Sequence, residues 1–218
     1  FTNKQYRKWI GEHSETVEDL MSSKLFSSVH YSSVPGGAMR KYKEAFMKRD
    51  LARFSDWKND KNTTAAVSAT YPHQIIKVAA DDESLADKMW NNLEDFVTEG
   101  ENILPMIDTS GSMIGVPLQV AISLGMYLSE RNKSEFQDRF LTFSESPEFV
   151  KIQGDGVADR MRNIEQADWG MNTDFTKAYD LILQSAVTHN VDEDSMPTML
   201  LVLSDMQFDE SQDGGVSK

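Results

Sequence analysis

The chain has 218 residues, enough for one large domain or two smaller ones with a substantial core. It contains no cysteine, which excludes disulfides, zinc–thiolate centres and thiol nucleophiles together. The net charge of −13 is unevenly shared: residues 1–100 carry 14 Lys or Arg against 15 Asp or Glu, and residues 101–218 carry 8 against 20. The second half therefore repels phosphate backbones and is a poor nucleic-acid binder by itself.

In chain order, helical patterns come first. Val17, Leu20, Met21 and Leu25 recur at helical spacing after Ser14, which is placed to cap them, and Met39, Tyr42, Phe46 and Met47 do so after Gly36-Gly37. Pro72 suits the first turn of a helix carrying Ile75, Ile76, Val78 and Ala79. Leu85, Met89, Trp90, Leu93, Phe96 and Val97 form a further stripe, with Gly100 placed to end it. A linker is expected near Thr98–Asn102, dividing an α-helical region, 1–100, from a second domain, 101–218.

From Ile103 the order becomes strand, helix, strand, strand, helix, helix, strand. The predicted helices are Pro117–Glu130, Val157–Ala167 and Phe175–Val187. The predicted strands begin at Ile103, run over Arg139–Phe143 and Phe149–Ile152, and end with Thr198–Leu203, expected as a central buried strand. Strands alternating with helices favour an open α/β sheet.

Three short pieces of this second half fit one Mg²⁺ site: Asp108-Thr109-Ser110-Gly111-Ser112, Thr173 within Gly170–Asp174, and Asp205. The apolar run Asn102–Ile107 reads as a strand that delivers Asp108 to a sheet edge. Ser110 and Ser112 flank a glycine, so both hydroxyls can turn toward one point. Mg²⁺ takes about six hard oxygen ligands and commonly keeps waters beside one or two carboxylates. Three hydroxyls and two water-holding carboxylates would satisfy it and leave a position open for an outside carboxylate. Taken singly, the five residues could instead cap helices, satisfy turn amides or end a strand. Separate structural roles, however, do not predict all five residue types together.

The D-x-S-x-S, then T, then D pattern resembles the metal-ion-dependent adhesion site of the von Willebrand factor A domain, matched here by Asp108, Ser110, Ser112, Thr173 and Asp205. The resemblance implies that the serines and the threonine touch Mg²⁺ (or Mn²⁺ or Ca²⁺), while the aspartates act through water. It also implies a Rossmann-like open sheet truncated at its C-terminus, because further strands and helices are expected after Asp205. Tyr31–Pro35, Lys41–Phe46, Thr142–Glu145, Trp169–Thr173 and Val202–Met206 resemble a family of viral and eukaryotic proteins similar to the Ro ribonucleoproteins, which join a helical-repeat RNA-binding module to a von Willebrand A domain. That likeness extends over nearly the whole chain.

Other chemistries score poorly. No phosphate loop is present, Gly154-Asp155-Gly156 lacks the rest of a dinucleotide fingerprint, and Ser112 is not in G-x-S-x-G. His13, His30, His73 and His189 are scattered, and Asp192-Glu193-Asp194 lacks EF-hand spacing. The expectation is a non-enzymatic, Mg²⁺-dependent protein-binding module that captures a partner's Asp or Glu. The alternative is a Ro-like protein whose helical half grips structured RNA through residues 39–61. There Arg40, Lys41, Lys43, Lys48, Arg49, Arg53, Lys58 and Lys61 outnumber the acids, although a solvated helix with mixed charges explains them more simply. No apolar run is long enough to span a bilayer, so no membrane partner and a cytoplasmic location are expected. The chain opens at Phe1 rather than methionine, so an upstream segment or signal peptide is expected to be missing.

Overall fold

The computed structural model describes residues 2–13, 15–167 and 174–205. In chain order its elements are α1 (Asn3–His13), α2 (Val17–Ser22), α3 (Gly36–Arg49), α4 (Leu51–Asn59), α5 (Pro72–Ala79), α6 (Glu83–Trp90), β1 (Ile103–Ile107), α7 (Val116–Arg131), β2 (Arg139–Thr142), β3 (Phe149–Lys151), α8 (Val157–Glu165), α9 (Phe175–His189) and β4 (Met199–Leu203). This is a mixed α/β protein. By compactness it divides into one unit of Phe1–Thr70 with Ser84–Glu94, and another of Tyr71–Glu83 with Asp95–Lys218.

The first unit is held by aromatic packing between α3, α4 and the 3-10 turn at Tyr31–Ser33. Tyr31 lies 5.2 Å from Phe46 and 5.0 Å from Phe54, ring centre to ring centre, and Phe54 stacks on Trp57 at 5.8 Å. The helix at Val17 is capped by Thr16, which forms a reciprocal capping box with Asp19. Lys88 is buried on α6, where its ammonium donates to Asp60 O and Thr63 Oγ1, both at 2.6 Å, and lies over the Trp57 ring. Burial pushes its pKa below the ordinary lysine value, and Asp60 partly offsets this. The stripe expected to run to Val97 stops at Trp90, where Asn92 Nδ2 takes the Lys88 carbonyl. Phe96 lies beyond the helix and is exposed.

In the second unit the sheet order is β3-β2-β1-β4, with β1 parallel to both β2 and β4, and β2 antiparallel to β3. Alternation along β1 sends its side chains to two faces. Leu104 and Met106 join Leu141, Phe143, Ala178 and Ile182 in one core layer under α9. Ile107 and Leu203 face α7, which approaches so closely that a β-carbon on Gly125 would lie 2.5 Å from Ile107 Cδ1. Helices therefore cover both faces. From Ala121 to Ser129 α7 is buried almost all round because α5 and α8 pack on its outer side.

Pro105 explains an asymmetry in the sheet. It has no N–H to donate, and β1 pairs with β4 over all five residues but with β2 only at Met106 and Ile107. Asn132 Nδ2 takes the Ile103 carbonyl at 3.1 Å. One sequence expectation is corrected: β4, expected as a central buried strand, is the edge of the described sheet, and its residues are exposed or half-buried. Its apolar residues cover β1 from one side only, so a composition suited to an interior strand stands at a rim. Among the described residues, no helix is long and apolar enough to cross a membrane.

Candidate metal centre

β1 leads through α7 to β2 on one side, while β4 lies on the other, so the chain's direction across the sheet switches at the carboxyl end of β1. Ligand sites of open α/β sheets lie at such switch points. Asp108 directly follows β1, and its amide donates to Leu203 O at 3.0 Å, which ties it to the end of β4. Ser110 opens the 3-10 turn Gly111–Met113, and Ser204 and Asp205 follow β4.

Asp108 is 2% exposed, and both of its carboxylate oxygens are engaged. Oδ1 accepts from the Ser110 amide at 2.8 Å and Oδ2 from Ser204 Oγ at 2.5 Å. Outward of it, Ser110 Oγ and Ser112 Oγ are 3.1 Å apart, and Ser112 Oγ lies 3.3 Å from Asp205 Oδ1. Four of the five predicted residues are thus brought together from positions nearly 100 residues apart. The fifth, Thr173, lies outside the described residues, as does Trp169. Ser204 was not singled out from sequence. Its only signal there is its place beside Asp205 at a strand end.

These oxygens fit a small divalent cation. Hydroxyl hydrogen bonds cluster near about 2.75 Å, whereas adjacent oxygens around Mg²⁺ at roughly 2.1 Å stand about 3 Å apart in an octahedron. The 3.1 Å between the two serine hydroxyls is a long hydrogen bond and also a spacing at which both oxygens could share one such ion. The donor set is all oxygen, as a hard cation requires. Thr109 Oγ1, in the same loop, is buried and has no hydrogen-bond partner among the described residues. Among those residues no three His, Asp or Glu side chains cluster around a point; this centre combines two carboxylates with hydroxyls instead.

Gly115 shapes the exit from the loop. Its φ of 100° lies where side chains are strained, and it turns the chain from the 3-10 turn into α7. The basic residues of 39–61 lie on and just after α3 and α4. Arg53 is committed to the fold there, donating to Phe26 O at 3.0 Å, Val29 O at 2.9 Å and Asp50 at 2.8 Å.

An α/β sheet carrying a cluster of carboxylates and hydroxyls at its switch point is the class of structure this half of the chain defines. The chain belongs to the family described as a domain of unknown function, DUF7788, whose model matches residues 102–217. Residues 2–103 match the model of a second domain of unknown function, DUF2828. The chain is 27% identical over 240 residues to the uncharacterized protein L728 of Acanthamoeba polyphaga mimivirus, a match covering 99% of this chain and 42% of that protein. The chain thus spans less than half the length of that relative. No solved structure matches.

Proposed function

We propose that the second unit is a von Willebrand A-like module that binds a divalent cation, Mg²⁺ first, and uses it to capture a carboxylate from a protein partner, without catalysis. The observation that carries this reading is the convergence of Ser110, Ser112 and Asp205 oxygens at 3.1–3.3 Å beside a buried Asp108. Ser110 and Ser112 would hold the cation, with Asp205 beside them, and Asp108 would hold the serine loop in place while contributing negative charge from beneath. When bound, the ion supplies a localised positive charge to which an Asp or Glu side chain can coordinate. Thr173 completes the motif by resemblance.

A binding role is preferred because no motif in the sequence places a base beside Ser110 or Ser112. A Ro-like RNA-binding role rests on resemblance and on the basic residues of 39–61, one of which, Arg53, is engaged with backbone carbonyls.

Calorimetric titration of the purified chain with MgCl₂ tests the reading. One-to-one binding that is lost in Ser110→Ala and Ser112→Ala is expected. No heat with the wild-type chain, or equal heat with Ser112→Ala, would refute it.

A further inference from the structure

The surroundings of this centre differ from the rest of its half of the chain. Residues 101–218 carry 28 charged side chains, yet none lies between Asp108 and Glu130. That uncharged stretch presents large apolar side chains outward: Ile114 is 77% exposed, Val116 55% and Val120 36%. Ile114 is two residues from Ser112, so their α-carbons are at most about 7.6 Å apart. On the side of α9, Phe175 is 39% exposed and packs edge-on against Phe143 at 6.2 Å. The Phe143 amide in turn donates to Ile107 O at 3.2 Å, next to Asp108. Ile114, Val116 and Val120 therefore give the chain beyond the serine loop an apolar, uncharged edge, while on the α9 side Phe175 stands between the half-exposed pair Asp174 and Lys177. Gly115, with its positive φ, turns the chain between Ile114 and Val116.

Resting on the proposed cation site, we infer that its partner is a protein segment presenting one carboxylate from among apolar, non-acidic neighbours, which seat on Ile114, Val116, Val120 and Phe175. The physical reason is a division of charge. A bound cation attracts a carboxylate locally, but the surrounding half of the chain, with 8 basic against 20 acidic residues, repels any segment carrying more of them. Apolar flanks gain by covering these apolar side chains, and acidic flanks meet the field unpaired.

Short fluorescein-labelled peptides test this by polarisation with the intact chain, in Mg²⁺ and in EDTA. One peptide has a central Glu flanked by Leu and Ser, a second has the same Glu flanked by Asp and Glu, and a third replaces the Glu of the first by Gln. The first should bind at least about tenfold more tightly than the other two, and only with Mg²⁺. Ile114→Ser, at an exposed position, should weaken it about fivefold while leaving the MgCl₂ titration heat unchanged. Equal binding of the first two peptides, binding that survives EDTA or the Gln replacement, or an unaffected Ile114→Ser would overturn the inference. So would Mg²⁺ uptake with no peptide bound, or Mg²⁺-dependent dimerisation abolished by Ile114→Ser, which would assign the apolar edge to a second copy. These results leave the cation site standing. Absence of Mg²⁺ heat removes the site and the inference together.

Discussion

Asp108 and Ser112 show how one constellation loads its members differently. Ser112 is exposed and, among the described residues, its hydroxyl makes only long contacts. Ser112→Ala should therefore change stability by less than about 0.5 kcal/mol while weakening Mg²⁺ binding at least about tenfold, as denaturant melts and calorimetry would show. Asp108 is buried and accepts from Ser110 N and Ser204 Oγ. Removing it in Asp108→Ala strands both donors, so a loss of about 2–3 kcal/mol should accompany loss of the metal. Elsewhere, Tyr31 is buried with its hydroxyl donating to Asp50 at 2.8 Å. Burial and then Asp50 push its pKa well above the ordinary tyrosine value. Since the folded chain holds this proton more tightly than the unfolded one, the contribution is complete below about pH 10 and is lost as pH rises beyond it. Tyr31→Phe should cost about 1 kcal/mol at neutral pH and flatten that alkaline loss in pH-dependent melts.

The second unit's elements depend on close approach and on backbone that the residue pattern only partly reveals. Helix α7 crosses β1 at Gly125, where a β-carbon would meet Ile107 Cδ1 at 2.5 Å and Cγ1 at 2.9 Å. Gly125→Ala should destabilise by about 1–3 kcal/mol, and Ile107→Val in the same chain should recover part of it, a coupling that a double-mutant cycle would read. Most helices and strands were legible because apolar spacing follows the period of each element. The stripe after Leu85 misled because Leu93, Phe96 and Val97 continue a helical spacing after the α-helix has ended at Trp90, where the Asn92 and Leu93 amides donate three residues back instead of four. Periodicity records which side chains are apolar and carries no information about where the backbone turns.

For the whole molecule, the proposed cation site would tie the end of β1 to the end of β4, and an ion that binds only the assembled pair would stabilise the fold by mass action. At a hundredfold excess over its dissociation constant Mg²⁺ should add about 2.7 kcal/mol. Thermal melting of the chain should thus shift upward with MgCl₂, return in EDTA, and stay unmoved in Ser112→Ala. The matches to DUF2828 over 2–103 and DUF7788 over 102–217 meet at Asn102 and Ile103, at the start of β1. Compactness groups the fold differently, taking α5 into the unit of the sheet because Ile75, Ile76, Val78 and Ala79 are buried on a helix that packs on α7. Contiguity along the chain and packing in space are separate properties, and α5 is where they part.

The order of residues alone determined the alternation of strands and helices, the all-oxygen character of the candidate site and the acidity of its half, since each depends on side-chain type and spacing. Only the tertiary structure decided that β4 stands at the rim of the described sheet, that Ser204 holds Asp108, and that Ile114 and Val116 stay exposed beyond the serine loop. Those features arise from which strand ends meet and which faces stay uncovered. The Ser110, Ser112 and Asp205 convergence was legible because those residue types recur together in a motif, whereas the Ser204–Asp108 contact has no such pattern to mark it.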